Sequence, residues 1–410
     1  MAHPWHTKDW FTSPWNFAPE VTSKISIPPK VRFHDITLRD GEQQAGVIFS
    51  KDDKIRIAEK LAELGVHRIE AGMPVVSPSD EAAIKEIVKR NLGPEIFAFA
   101  RCMVDDVKRA VDCGVKGVIM EVPSSQHIVQ KAYRWELEKA IELSIASTHY
   151  AHEQGLYVVF FPIDSSRAEL NWFLDLITRV STEGHMDALA VVDTFGVLSP
   201  HAIPYLVQKI RSRIKQPLEA HFHMDFGMGV ANTILGVASG IEVIHSTVLG
   251  IGERAGNTPL EETVMALRTM YDIDTGMNLS VLTDLANLVR QLSGASVPSN
   301  RPVVGDMLFN VESGIISSWV RNCGHTDITE VFPFRWEMVG NRPVELVLGK
   351  GSGVDSIKFW LDKLNLGEAS ESAVMSILAK VKAYSLEHKC LLTKKEFQKI
   401  ATSVMNETGV

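Results

Sequence analysis

The chain is expected to fold as a closed parallel (β/α)8 barrel followed by an irregular segment and a small helical tail. Two observations predict this. From residue 31 to about residue 290, eight short apolar runs alternate with longer amphipathic stretches, the strand–helix alternation that builds a parallel sheet. The turn after the first run is charged, Leu38-Arg39-Asp40-Gly41-Glu42-Gln43, where a doubly wound open sheet usually carries glycines for a phosphate. Eight strand–helix units in roughly 250 residues match one barrel.

The candidate strands, in order, are residues 31–35, 68–72, 96–100, 117–122, 157–161, 188–193, 218–223 and 243–248. Helical periodicity fills the gaps. Ile55, Ala58, Leu61 and Leu64 recur at helical spacing before the second strand, and Asp105, Val107, Ala110 and Val111 mark a later helix. The barrel is expected to occupy residues 31–292. Residues 1–30 form a leader with Trp5, Trp10 and Trp15. Residues 293–353, rich in Gly, Pro and aromatics, read as a linker subdomain, and 354–410 as a helical C-terminal subdomain.

Composition narrows the function classes. Of 410 residues, 42 are Lys or Arg and 50 are Asp or Glu, giving a formal net charge of −8. No basic block points to nucleic acid or to an anionic membrane. No apolar run approaches the ~20 residues that span a bilayer. Four scattered cysteines, Cys102, Cys113, Cys323 and Cys390, form no metal-type pair. Reduced thiols in a cytoplasm are expected. The leader lacks the basic and apolar regions of a signal peptide.

Barrel enzymes place their chemistry at the C-terminal ends of the strands. Strand seven ends in His221-Phe222-His223. Side chains alternate along a strand, so both imidazoles face one side and can share a metal ion. Strand one ends in Arg39-Asp40. A carboxylate there completes a two-His, one-carboxylate set with open positions, and Arg39 is suited to stabilising an oxyanion. After strand eight, Gly250-Ile251-Gly252-Glu253-Arg254-Ala255-Gly256-Asn257 suggests tight backbone near a ligand. Each feature has a plainer reading: satisfied buried histidines, a rim ion pair, a surface loop. Their joint occurrence carries the weight.

Together these segments resemble the DRE-TIM metallolyases, which include the isopropylmalate, homocitrate and citramalate synthases and hydroxymethylglutaryl-CoA lyase. The resemblance rests on Asp35-Ile36-Thr37-Leu38-Arg39-Asp40-Gly41-Glu42-Gln43, Ile69-Glu70-Ala71-Gly72-Met73-Pro74, Asp193-Thr194-Phe195-Gly196, the histidine run and the Gly-Glu-Arg-Ala-Gly-Asn loop. That last loop is similar to the synthase branch. The resemblance implies a divalent metal (zinc, manganese or magnesium) held by Asp40, His221 and His223, with Asn257 adjoining. It implies Arg39 as the group that polarises a 2-oxo acid. Gln43, Glu70 and Thr194, with Arg101 and His127, would line the substrate site. The implied reaction is a Claisen-type condensation of acetyl-CoA, or another acyl-CoA, with a small 2-oxo acid. A homodimer is implied as well, with the linker subdomain over the active site.

The chain departs from the pattern where protons move. A Glu usual at the end of strand five is Ile163. A His-Glu-Ser-Gly-Ile-His run is Val311-Glu312-Ser313-Gly314-Ile315-Ile316, and an expected Tyr is replaced within Phe332-Pro333-Phe334. None of these side chains except Glu312 accepts a proton. Glu312, His127 and His325 are therefore the candidate replacement bases, and the pocket is expected to be less polar. Two alternatives stay open: a retro-aldol or decarboxylative enzyme without acetyl-CoA, and a barrel that binds ligand without turnover. Little chain follows residue 353, so feedback inhibition by leucine is not expected.

Overall fold

The computed structural model describes residues 3–408. They divide into two compact units, Ser13–Val297 and residues 3–12 with 298–408. The first unit is the predicted barrel. Its strands are β1 (Arg32–Asp35), β2 (Arg68–Glu70), β3 (Glu95–Arg101), β4 (Gly117–Pro123), β5 (Tyr157–Ile163), β6 (Ala188–Asp193), β7 (Leu218–Phe222) and β8 (Val243–Ser246). Each pairs in parallel with its neighbour, and β1 pairs with β8 to close the ring. Closure removes every sheet edge, so all strand backbone groups can pair without a free rim.

Local sequence explains the outer layer. The helix Lys51–Leu64 starts at a reciprocal Ser50/Asp53 cap and stops at Gly65, whose φ of 87° is the left-handed geometry glycine supplies. Ile55, Ala58, Leu61 and Leu64 are all buried, as their spacing predicts. Inside the ring, Phe97, Phe99, Ile119, Val159, Phe161 and Ala190 interlock. Inward residues therefore fall at alternate positions on each strand.

Register places the functional layer. Arg101 of β3 lies opposite Glu121 of β4, and Glu121 opposite Phe161 of β5. Asp193 of β6 lies opposite Phe222 of β7.

In the second unit, a two-stranded parallel pair, β9 (Asn310–Val311) and β10 (Glu345–Leu346), precedes three helices, Val354–Lys363, Glu371–His388 and Lys394–Thr408. Ile357, Trp360, Ile377, Val381 and Phe397 form its core. The Trp-rich leader is divided between the units. Phe11 N–H donates to the Pro333 carbonyl at 3.0 Å, within the second unit. Ser26 N–H donates to the Ala238 carbonyl at 2.7 Å, on the barrel. Trp10 is 6% exposed and Trp15 is 80% exposed, so only the former has a packing role. Among the described residues, no helix is long and apolar enough to cross a membrane.

Candidate metal centre and active site

The site grows out of three strand ends. Past β1 the backbone tightens: the amides of Arg39, Asp40 and Gly41 all reach back to the Ile36 carbonyl. That turn buries Asp40 at 2% exposure and Arg39 at 8%. At the end of β7, His221 Nε2 and His223 Nε2 face each other at 3.3 Å. Asp40 Oδ2 stands 3.6 Å from His221 Nε2. One ligand atom from each of the three residues fits within 4.8 Å of the others.

The loop after β8 closes the arrangement. Asn257 Nδ2 donates to Asp40 Oδ1 at 2.8 Å, and Met224 N–H donates to the Gly256 carbonyl at 2.9 Å. Glycine makes this approach possible. Gly252 has φ 149°, and a Cβ there would stand 2.2 Å from Asn257 Nδ2 and 3.2 Å from Asp40 Oδ1. A Cβ on Gly256 would stand 1.9 Å from the Gly250 carbonyl oxygen.

The donor set fits a divalent cation. Burial, then the neighbouring rings of His223 and His245, pushes the His221 pKa well below its ordinary value. Burial lowers that of His223 too. Both shifts favour the neutral ring, the form that offers a lone pair to a metal. A single shared proton would tie the two nitrogens only to each other; a cation would engage both along with Asp40. Behind the pair, the Nδ1 atoms of both histidines meet no hydrogen-bond partner among the described residues. Metal-bound imidazoles normally give that position to a carboxylate, carbonyl or water. Asn257 Oδ1 is likewise buried without a donor among the described residues.

Arg39 borders this centre. Its Nε donates to Glu70, its Nη1 to Asp40 Oδ2 at 2.9 Å and to Gln43 Oε1 at 3.3 Å. The guanidinium lies 3.9 Å above the Phe99 ring centre. Burial opposes the Arg39 charge, but the Glu70 and Asp40 carboxylates outweigh it and raise its pKa. Burial alone would raise Glu70; the Arg39 charge and His34 hold it at about 2. The Arg39 Nη2 atom is buried with no acceptor among the described residues. It is a donor fixed in place and unused, as oxyanion stabilisation requires.

Other expected residues are placed differently. Arg101 is exposed, and its guanidinium is held by both oxygens of Asp106, at 2.7 and 2.9 Å. His127 Nε2 stands 3.1 Å from Asp164 Oδ2, and Asp164 also accepts two bonds from Arg167, at 2.6 and 3.0 Å. Thr194 Oγ1 accepts the Asp164 amide at 2.8 Å, and its carbonyl accepts from Arg254. Glu312 belongs to the second unit, where Oε1 accepts the Gly351 amide at 2.7 Å.

Two features were not anticipated. Beneath the metal-type set, within the barrel, lies a second buried group of His34, Glu219 and His245. Arg68 Nη1 donates to Glu219 Oε1 at 2.7 Å, and His245 Nε2 lies 2.7 Å from Glu219 Oε2. The His34 and His245 rings stack at 4.6 Å, and His34 Nε2 lies 3.4 Å from Glu70 Oε2. The signal in the sequence was a charge or imidazole at the inward position of four strands. Glu121 is the other feature. It is half-buried on β4 and accepts a 3.3 Å bond from the Tyr133 hydroxyl.

Comparison with known proteins gives a consistent picture. The HMGL-like family model matches residues 30–289. The chain is 38% identical over 378 residues to homocitrate synthase AksA of Methanothermobacter thermautotrophicus, covering 91% of this chain and 93% of that protein. It is 41% identical over 354 residues to a putative (R)-citramalate synthase CimA of Archaeoglobus fulgidus, covering 86% and 71%. It is 37% identical to a probable 2-isopropylmalate synthase of Ignicoccus hospitalis, covering 93% and 94%. Among solved structures, hydroxymethylglutaryl-CoA lyase from Pseudomonas aeruginosa shares the fold with a TM-score of 0.59 at 23% identity, covering 66% of this chain and 95% of that one.

Proposed function

The chain belongs to the HMGL-like family, and on that premise we propose that it condenses acetyl-CoA with a small 2-oxo acid, yielding a 2-hydroxy-2-alkyl dicarboxylic acid and free CoA. The observation that carries this reading is the convergence of Asp40, His221 and His223 beside the unused donor of Arg39. Asp40, His221 and His223 would hold the metal, with Asn257 orienting Asp40. When bound, a divalent ion supplies a Lewis acid for the 2-oxo and carboxylate oxygens of the substrate.

The chain's own residues do the rest. Arg39 directs a buried N–H at the carbonyl oxygen, which gains charge as the bond forms. Glu70, kept ionised and enclosed, fixes the Arg39 side chain, so no reorganisation is needed during reaction. Gln43, which accepts from Arg39, completes the polar rim of the substrate site. The wall beside these groups is aromatic: Phe99 lies under Arg39 and Phe161 packs edge-on against His221, 4.8 Å between centres. A second substrate carboxylate would be desolvated there without a partner, since Arg101 already serves Asp106. We therefore assign an aliphatic substituent to the 2-oxo acid.

The test is thiol release from acetyl-CoA by metal-loaded protein across glyoxylate, pyruvate, oxaloacetate, 2-oxoglutarate and 2-oxoisovalerate. Pyruvate or 2-oxoisovalerate is expected to give metal-dependent release, abolished in Asp40→Ala. Preference for a dicarboxylate contradicts the substituent assignment. Absence of release with every acid contradicts the condensation itself.

A further inference from the structure

We propose that Glu121 is the base that removes a proton from the methyl group of the acyl thioester. This rests on the condensation put forward above and supplies the proton acceptor which positions 163, 316 and 334 lack, these being Ile163, Ile316 and Phe334.

A carbon nucleophile needs a carboxylate or imidazole with a lone pair open to the pocket. Most carboxylates at the top of the barrel are already engaged. Asp40 accepts from Arg39 and Asn257. Glu70 is enclosed at 0% exposure beneath Arg39. Asp164 accepts from Ser125 and twice from Arg167. Asp193 accepts from Ser166, Val197 and Leu198. Glu121 differs. One hydrogen bond, from Tyr133, holds one oxygen. The other makes none among the described residues.

Position supports the role. Arg101, Glu121 and Phe161 stand in one row across β3, β4 and β5. Phe161 touches His221 of the metal-type set, so Glu121 is one strand removed from a wall of that centre. Burial raises its pKa, while the Tyr133 bond and the charges of Arg39 and Arg101 restrain the rise. A carboxylate so placed is more basic than an exposed one, as general-base work near neutrality asks.

The step balances. The Glu121 carboxylate takes a methyl proton, and the C–H electrons form the enolate of the thioester. The enolate carbon then bonds to the 2-oxo carbon, and the carbonyl π electrons become an alkoxide, which is protonated. Water cleaves the thioester and releases the thiol. Glu121 returns its proton to solvent.

The experiment uses the full metal-loaded chain and the 2-oxo acid that gives most thiol release. Glu121→Gln is expected to lower kcat roughly 100- to 10,000-fold. It should leave calorimetric affinity for the 2-oxo acid and the melting temperature unchanged, and remove the acidic limb of the kcat–pH profile. Glu121→Asp, which keeps the carboxylate, is expected to restore part of the rate. Thiol release by Glu121→Gln within threefold of wild type overturns the assignment alone. So does a rate loss matched by lost 2-oxo acid affinity. No release by the wild type with any acid overturns the condensation and this proposal together.

Discussion

The barrel interior holds two buried groups of two histidines and one carboxylate, and they are built for opposite ends. In the upper group, Asp40, His221 and His223 turn ligand atoms towards each other. In the lower group, Glu219 gives one oxygen to the Arg68 guanidinium and the other to His245. His34 and His245 stack face to face, 4.6 Å between ring centres. The same residue types at similar spacing thus yield an open ligand set above and a closed ion-pair network below. Both carboxylates meet an arginine, so what separates the groups is where the histidines turn. His245 lies within hydrogen-bond distance of Glu219, whereas His221 and His223 face each other and the Asp40 oxygens accept from Arg39 and Asn257.

If the lower group is a structural network, removing its carboxylate is the largest perturbation. Glu219→Gln leaves Arg68 buried against the Phe97 and Tyr157 rings without its buried counter-charge, with only the exposed Glu95 remaining at 3.4 Å. Loss of one partner of a buried pair is expected to destabilise the fold by about 3–5 kcal/mol, read from urea unfolding, while metal stoichiometry stays at the wild-type value. Metal lost from a still-folded Glu219→Gln protein would merge the two groups into one site and break the comparison.

A smaller effect follows from His34. Burial lowers its pKa to about 4, against the pull of Glu70. Between that value and the unfolded value of about 6.5, the unfolded chain binds a proton that the folded chain refuses. Stability from the neutral ring is therefore present above about pH 6.5 and lost as pH falls towards 4, by roughly 3 kcal/mol. His34→Phe is expected to flatten unfolding free energy over that window relative to wild type. Parallel curves for the two proteins would show that His34 takes up its proton as readily in the folded chain as in the unfolded one, and would overturn this prediction.

The two groups also mark what was legible in the sequence. All eight strands were, because apolar runs bounded by turn residues have few other interpretations. So was the upper group: its residues sit at strand ends, beside the charged turn of Arg39 and the glycine loop before Asn257. The lower group was not. His34, Arg68, Glu219 and His245 are single polar residues within otherwise apolar strands, and pairing them needs the order in which β1, β2, β7 and β8 meet. Glu121 was missed for a related reason. Its significance comes from standing between Arg101 and Phe161 in register, across strands well separated in the chain. The two-part fate of the leader was equally hidden, since Trp10 and Trp15 look alike in sequence but only Trp10 is buried.

The most direct test of the account is the metal content of three proteins: wild type, His221→Ala and His245→Ala. Each is stripped with chelator, reloaded with zinc or manganese, desalted and measured by plasma emission. About one ion per chain is predicted for wild type and for His245→Ala, and close to none for His221→Ala. An ion retained by His221→Ala but lost from His245→Ala would contradict the account, because the metal would then belong to the lower group.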